Sequence, residues 1–161
     1  MLVFESACPE DAVFLFEVYA DTRREEMEAW GWPAGDAEAF LRMQFELQTR
    51  SYALQFPEAV TRIIIHDGNR IGRIIASRSN SIHLIDISLL AGYRNKGIGT
   101  AVITGLQEEA AAAGLPVKLS VLEHNLAKRL YERLGFKAIG EASPYISMSW
   151  QPDKREEQLY E

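Results

Sequence analysis

Residues 82–90 alternate apolar and polar positions, with Ile85, Ile87 and Leu89 set against Asp86 and Ser88. That period of two is the mark of a strand with one buried face. From residue 98 the period changes. Ile98, Val102 and Leu106 recur at steps of four, the spacing of one helical face, and Gly114-Leu115-Pro116 closes the run as a C-cap followed by a breaker. Residues 117–121 read as a strand. A further helix is expected from about Asn125, with Leu126, Leu130 and Leu134 as its core stripe, Ala127 and Tyr131 beside it, and Gly135 at its end. Two closing strands, 136–141 and 145–150, flank Ser143-Pro144.

The first half is read in the same way. Residues 2–6 form a short strand. Pro9-Glu10-Asp11 suits the first turn of a helix, which is expected to run to about Ala20, apolar nearly all round and well buried. Residues 22–33 read as a polar, acidic connection carrying Trp30 and Trp32. Asp36 offers an N-cap for a second helix to about Tyr52, with Leu41, Phe45, Gln48 and Tyr52 on one face. Strands at 60–65 and 70–77 flank His66-Asp67-Gly68-Asn69, which is hairpin-turn chemistry. The order β-α-α-β-β-β-α-β-α-β-β predicts a mixed, mostly antiparallel sheet flanked by helices in a single α/β domain over residues 1–150. One local parallel pair comes from the strand–helix–strand unit. Residues 151–161 are a charged tail, expected to be frayed or a helix stub.

Composition narrows the class. A chain of 161 residues with 47% apolar content can bury a core of its own. The formal charge of −6 argues against general nucleic-acid binding. Cys8 is the one cysteine and cannot form an internal disulfide, which fits a reducing cytoplasm, and it is expected to pack as a small apolar group. There is no basic-then-apolar leader and no apolar run near ~18 residues. His66, His83 and His124 lack ligand spacing, so no metal is expected.

The chemistry concentrates at Arg94-Asn95-Lys96-Gly97-Ile98-Gly99-Thr100, between the alternating strand and the helix. Glycines let the backbone curl, and the first helical amides lack intrahelical acceptors. The positive dipole end adds to the pull on an anion, so the segment suits a phosphate. Gly97-x-Gly99 nearly spells a dinucleotide-binding pattern, with Glu123 near the end of the next strand. The third glycine is missing, and a basic hexapeptide separates strand from glycines. There is no Gly-Lys-Ser/Thr of a P-loop.

Arg94-x-x-Gly97-x-Gly99 resembles the Arg/Gln-x-x-Gly-x-Gly/Ala motif of the GNAT superfamily of acyl-CoA N-acyltransferases. Asn125-Leu126-Ala127-Lys128-Arg129-Leu130-Tyr131 through Gly135-Phe136 resembles the family's second segment, Asn…Ala-x-x-Leu-Tyr-x-x-x-Gly-Phe, although Asn125 stands two positions before the alanine rather than three. The element order is similar to the family fold. The resemblance implies an N-acetyltransferase moving an acetyl group from acetyl-CoA to a primary amine of a small molecule or peptide by direct attack in a ternary complex. It implies that amides of Lys96, Gly97, Ile98, Gly99 and Thr100 hold the coenzyme pyrophosphate, with Arg94 and Asn95 at the edge. Leu89 and Leu90 would border the pantetheine and thioester, Asn125 would bond the pantetheine arm, and Tyr131 would donate a proton to the departing thiolate. A tyrosine, ordinarily titrating near ~10, keeps the proton such a role needs.

No base stands out among Asp86, Glu123, His83 and His124. The family places acceptor recognition around the first two helices, here with Glu25, Glu26, Glu28, Trp30, Trp32, Gln44, Gln48 and Tyr52. Carboxylates beside aromatics suit a cationic amine, while a solvated acidic edge and core tryptophans are the plainer reading. A non-catalytic acyl-CoA-binding module and a nicotinamide-dependent oxidoreductase stay open as other readings. Dimerisation through the last strands and Trp150 is left undecided.

Overall fold

The computed structural model describes residues 1–152. The charged tail expected from the sequence falls, from residue 153 on, outside the described residues. The elements are β1 (Leu2–Ser6), α1 (Ala12–Ala29), α2 (Ala34–Gln55), β2 (Val60–His66), β3 (Asn69–Arg78), β4 (Ile82–Leu89), α3 (Ile98–Ala113), β5 (Val117–Leu122), α4 (Ala127–Arg133), β6 (Lys137–Ala142) and β7 (Tyr145–Trp150). Hydrogen-bonded strand order is β1-β2-β3-β4-β5-β7-β6 in a seven-stranded sheet. The pairs β1–β2, β2–β3, β5–β7 and β6–β7 are antiparallel, and β4 with β5 is parallel. The expected mixed α/β fold is therefore the one observed. The chain divides into two compact units, residues 1–76 with 86–96, and residues 77–85 with 97 onward.

In the first unit, β1 pairs with β2 and β2 with β3. The β2–β3 hairpin turns at Asp67 and Gly68, with φ of 49° and 83°. Two positive φ values in a two-residue loop make the primed turn that suits the strand twist, as the Asp-Gly pair predicts. Tyr19, Ala20, Met27 and Leu41 form a small helical core with Phe16 and Phe45 against it.

Three expectations about these helices fail. The first helix does not stop near Ala20: α1 runs on through the acidic stretch to Ala29, because that stretch contains no Pro or Gly and its charges pair at helical spacing, as Arg24 does with Asp21. It is not well buried. Only Val18, Tyr19, Ala20 and Met27 are, and Val13 is 71% exposed. Pro33, not Asp36, caps α2, and Asp36 stands in the first turn. The tryptophans are not core either, with Trp30 60% exposed and Trp32 resting on Phe40 at 4.9 Å between ring centres. Cys8 is exposed rather than packed.

In the second unit, α3 buries Ile98, Val102 and Leu106 as expected, together with Ile103, Gln107 and Ala110. Gly114 ends it in the left-handed region, and Leu115 donates back to the Ala110 carbonyl. β5 alternates buried Val117, Leu119 and Val121 with exposed Lys118, Ser120 and Leu122. Leu126 is not part of a core stripe. It is 81% exposed, because α4 begins only at Ala127 and the buried position of that helix is Tyr131.

Candidate active site

The glycine loop is built as the sequence suggests. Asn95 and Gly97 both take positive φ, 60° and 80°, so the chain reverses sharply into α3. Gly97 is the N-cap, no side chain caps the helix, and the first intrahelical bond runs from the Ala101 amide to the Gly97 carbonyl. Helix geometry then leaves the amides of Ile98, Gly99 and Thr100 with no intrahelical acceptor. A Cβ placed on Gly99 would meet no atom within 4 Å, so the backbone there faces open space. Bare amides, an open backbone and a helix dipole are what an anion cradle requires.

The residues leading into the loop are anchored, and the anchor is one that sequence reasoning missed. Asp21 on α1 accepts from the Ala91 amide at 2.6 Å and from Arg94 Nη2 at 3.4 Å. Arg94 Nε donates to the Leu89 carbonyl at 2.9 Å. Arg94 therefore braces the end of β4 and the start of the loop. Leu90 donates to the Ile71 carbonyl at 2.8 Å, which keeps the end of β4 on β3. Gly72 makes this approach feasible: a Cβ there would lie 2.2 Å from the Ser88 carbonyl oxygen. The β4–β5 ladder covers only Ile82–Leu84 against Val117–Leu119, although both strands run on.

In the second unit, Tyr131 is buried on α4, its ring 5.7 Å from that of Phe136. Gly135, at φ 96°, turns the chain after the helix, and the Phe136 amide donates to the Tyr131 carbonyl. Gln107 on α3 is buried and donates to the Leu134 carbonyl at 2.8 Å, satisfying the C-terminal end of α4. Asn125 does not hold its side-chain oxygen free. Its Oδ1 accepts from the Ala127 amide at 2.9 Å, which starts α4. The shortened spacing to the alanine explains this, since an Asn two residues before an amide can close an Asx turn on it.

Of the candidate bases, Asp86 is committed. Its Oδ2 accepts from Arg73 Nε at 2.8 Å and from Ser88 Oγ at 3.1 Å. Arg73 is only 4% exposed and also donates through Nη2 to Gln48 Oε1 at 2.8 Å, its guanidinium standing 5.8 Å from the Phe45 ring centre. Deleting one partner of such a buried pair strands the other, at about 3–5 kcal/mol. His83 is pushed below the usual imidazole range by burial and then by Lys118 across the ladder, which keeps it neutral. Glu25, Glu26 and Glu28 all lie exposed on α1.

A family model for the acetyltransferase (GNAT) family matches residues 16–136, spanning both the glycine loop and α4. The chain belongs to the GNAT family of acetyltransferases. Solved GNAT-like structures agree in fold. The PaiA N-acetyltransferase of Thermoplasma acidophilum, in complex with coenzyme A, is 18% identical with a TM-score of 0.67, over 94% of this chain and 99% of that one. An acetyltransferase of Thermus thermophilus is 19% identical with a TM-score of 0.63, over 94% and 97%. A GNAT family acetyltransferase of Listeria monocytogenes is 15% identical with a TM-score of 0.66, over 93% and 94%. No curated protein sequence matches the chain significantly. GNAT enzymes use acetyl-CoA as acyl donor, and membership in the family replaces the nicotinamide reading of Gly97-x-Gly99. Among the described residues, no helix is long and apolar enough to cross a membrane.

Proposed function

We propose that this GNAT protein transfers an acetyl group from acetyl-CoA to a primary amine of a small molecule or peptide, by direct attack and without an acyl-enzyme. The observation that carries this reading is the uncapped start of α3, where Gly97 turns the chain and Gly99 leaves the backbone open. The amides of Lys96 to Thr100 would bind the coenzyme pyrophosphate. Arg94 and Asn95 would edge that pocket. Leu89, on the part of β4 beyond the β5 ladder, would turn its amide to the thioester carbonyl, where a backbone amide can stabilise the developing oxyanion, and Leu90, whose own amide is bonded to Ile71, would border the pantetheine. Asn125 retains its side-chain NH2 for the pantetheine arm while its oxygen caps α4.

Tyr131 would protonate the leaving thiolate. With Asp86 Oδ2 already accepting two hydrogen bonds, water would carry away the amine proton. No covalent role falls to Cys8, whose thiol is pushed up to about 11 by its hydrogen bonds to Glu10 and Asp11. Residues 1–150 would form the catalytic domain, acting in the cytoplasm.

Calorimetric titration with acetyl-CoA, and with NADH in parallel, tests the reading. Micromolar binding of acetyl-CoA alone supports it, and no binding removes it. A coenzyme-binding module without turnover is a second reading, favoured by the engagement of Asp86 with Arg73. Tyr131→Phe separates the two. Loss of turnover with coenzyme binding kept supports the enzyme, whereas no turnover in the parent protein over a broad amine panel supports the module.

A further inference from the structure

The Ser88 hydroxyl has a fixed polarity. Its Oγ donates its single proton to Asp86 Oδ2 at 3.1 Å. Asp86 is held in place, because the same oxygen accepts from Arg73 Nε at 2.8 Å. Arg73 is almost fully buried and donates through Nη2 to Gln48 Oε1, which fixes it in turn. A hydroxyl oxygen also carries two acceptor lone pairs. Among the described residues no donor bonds to those of Ser88, although the residue is half-buried. The chain from Gln48 through Arg73 and Asp86 therefore ends in an oxygen left only to accept. All four residues belong to the first unit.

Its place on β4 gives that oxygen a use. The Leu90 amide bonds to the Ile71 carbonyl on β3, and successive amides of a strand alternate sides, so the Leu89 amide faces away from β3. Covalent geometry keeps a serine oxygen within about 5 Å of the next residue's amide nitrogen. Ser88 Oγ and the Leu89 N–H thus make an acceptor and a donor side by side at the strand end. A nucleophile approaches a carbonyl from outside its plane. Of the two faces of the strand end, Ile87 and Leu89 line one with hydrocarbon, and Asp86 and Ser88 supply the polar one.

We propose that Ser88 Oγ accepts a hydrogen bond from the attacking amine while the Leu89 amide holds the thioester carbonyl, which makes Ser88 a catalytic residue of acetyl transfer. The proposal rests on the transferase reading above. A hydroxyl free to rotate could donate to the amine lone pair and quench it as a nucleophile. Asp86 removes that option by taking the proton. An amine N–H then points at Ser88, and the lone pair is left for the carbonyl carbon. Asp86 and Arg73 are positioning residues, acting through Ser88. In the reaction the ammonium first gives one proton to water. The nitrogen lone pair forms a bond to the carbonyl carbon, and the carbon–sulfur bond breaks with its electron pair passing to sulfur. The nitrogen loses a second proton as the thiolate gains one. The products are the N-acetylated amine, coenzyme A and one proton released to solvent, and Ser88 keeps its own proton throughout.

The test compares the parent chain with Ser88→Ala, Ser88→Cys and Ser88→Thr. Thiol release is followed over a broad panel of primary amines that includes phenethylamine, L-lysine and triglycine, and coenzyme A binding is measured calorimetrically. Ser88→Ala should lower kcat/KM for the amine at least about tenfold, through loss of one orienting hydrogen bond. The acetyl-CoA KM and the coenzyme A affinity should stay unchanged. Ser88→Cys, a near-isostere with a weak acceptor, should lie close to Ser88→Ala, and Ser88→Thr, which keeps the hydroxyl, should restore most of the rate.

Parent-like kcat/KM in Ser88→Ala or Ser88→Cys would overturn the assignment, as would a Ser88→Thr protein as slow as Ser88→Ala. A loss of coenzyme A affinity matching the loss of rate would also overturn it, since that marks a displaced strand end. In each of these cases the active parent keeps the transferase reading alive. A parent that binds no acetyl-CoA, or binds it and acetylates no amine on the panel, removes the transferase reading and the role of Ser88 with it.

Discussion

Gly72→Ala is the sharpest single test of how the strand end is placed. The added Cβ would sit 2.2 Å from the Ser88 carbonyl oxygen, 3.0 Å from Leu89 Cδ2 and 3.1 Å from Leu89 Cα. Real Cβ contacts do not fall below 3.0 Å, and two of the three obstacles are backbone atoms, which cannot swing aside as a side-chain tip can. The end of β4 must therefore retreat by about 1 Å, an overpacking strain of about 1–3 kcal/mol. For a chain of this size, at about 2–4 °C per kcal/mol, that lowers Tm by roughly 2–12 °C. The retreat falls on Ser88 and Leu89, the second of which the proposed mechanism places at the thioester, and a 1 Å misplacement there costs about 100-fold in rate. Coenzyme affinity should change much less, because the cradle amides belong to α3. The assays are thermal unfolding, thiol release under saturating donor, and calorimetry with coenzyme A. Gly105→Ala, where an added Cβ meets nothing within 4 Å, is the control. A Gly72→Ala protein that matches the parent in both Tm and kcat would refute the reasoning.

Three further outcomes are expected. Gly99→Glu puts a carboxylate into the open face of the cradle and should weaken acetyl-CoA binding more than tenfold, about 1.4 kcal/mol or more, in calorimetry, with Tm little altered. His83 titrates below its unfolded value, so the unfolded chain takes up its proton first, and stability should fall as pH drops below ~6.5. His83→Gln should flatten that part of a urea-midpoint profile, and an unchanged profile would remove His83 as the cause. Cys8, raised from 9.0 to about 11, should hold about 100-fold less thiolate at pH 8 than an ordinary thiol despite its exposure. Iodoacetamide labelling should accordingly be slow, and faster in the Glu10→Gln, Asp11→Asn double variant.

What the sequence made readable was whatever a local backbone requirement writes into neighbouring residues. Asp67-Gly68, Gly97, Gly114 and Gly135 each mark a chain reversal at positive φ, and each was identifiable without partners. The alternation at 82–90 correctly put Asp86 and Ser88 on one face, where they hydrogen-bond. The partners of those residues were not readable. Asp86 finds Arg73, Arg73 finds Gln48, and Ala91 finds Asp21 across long sequence separations that no local period encodes. The exposure of Leu126 was misjudged for a related reason. The helical period was counted from Asn125, whose own side chain delays the helix to Ala127.

Gln107 gives the second unit a property that no ligand contact supplies. Its amide joins the middle of α3 to the last carbonyls of α4, so the helix that begins at the cradle also indexes the helix that bears Tyr131. In the proposed mechanism the phosphate grip and the phenol would thus be set out along one internal ruler, fixed by a bond inside the second unit.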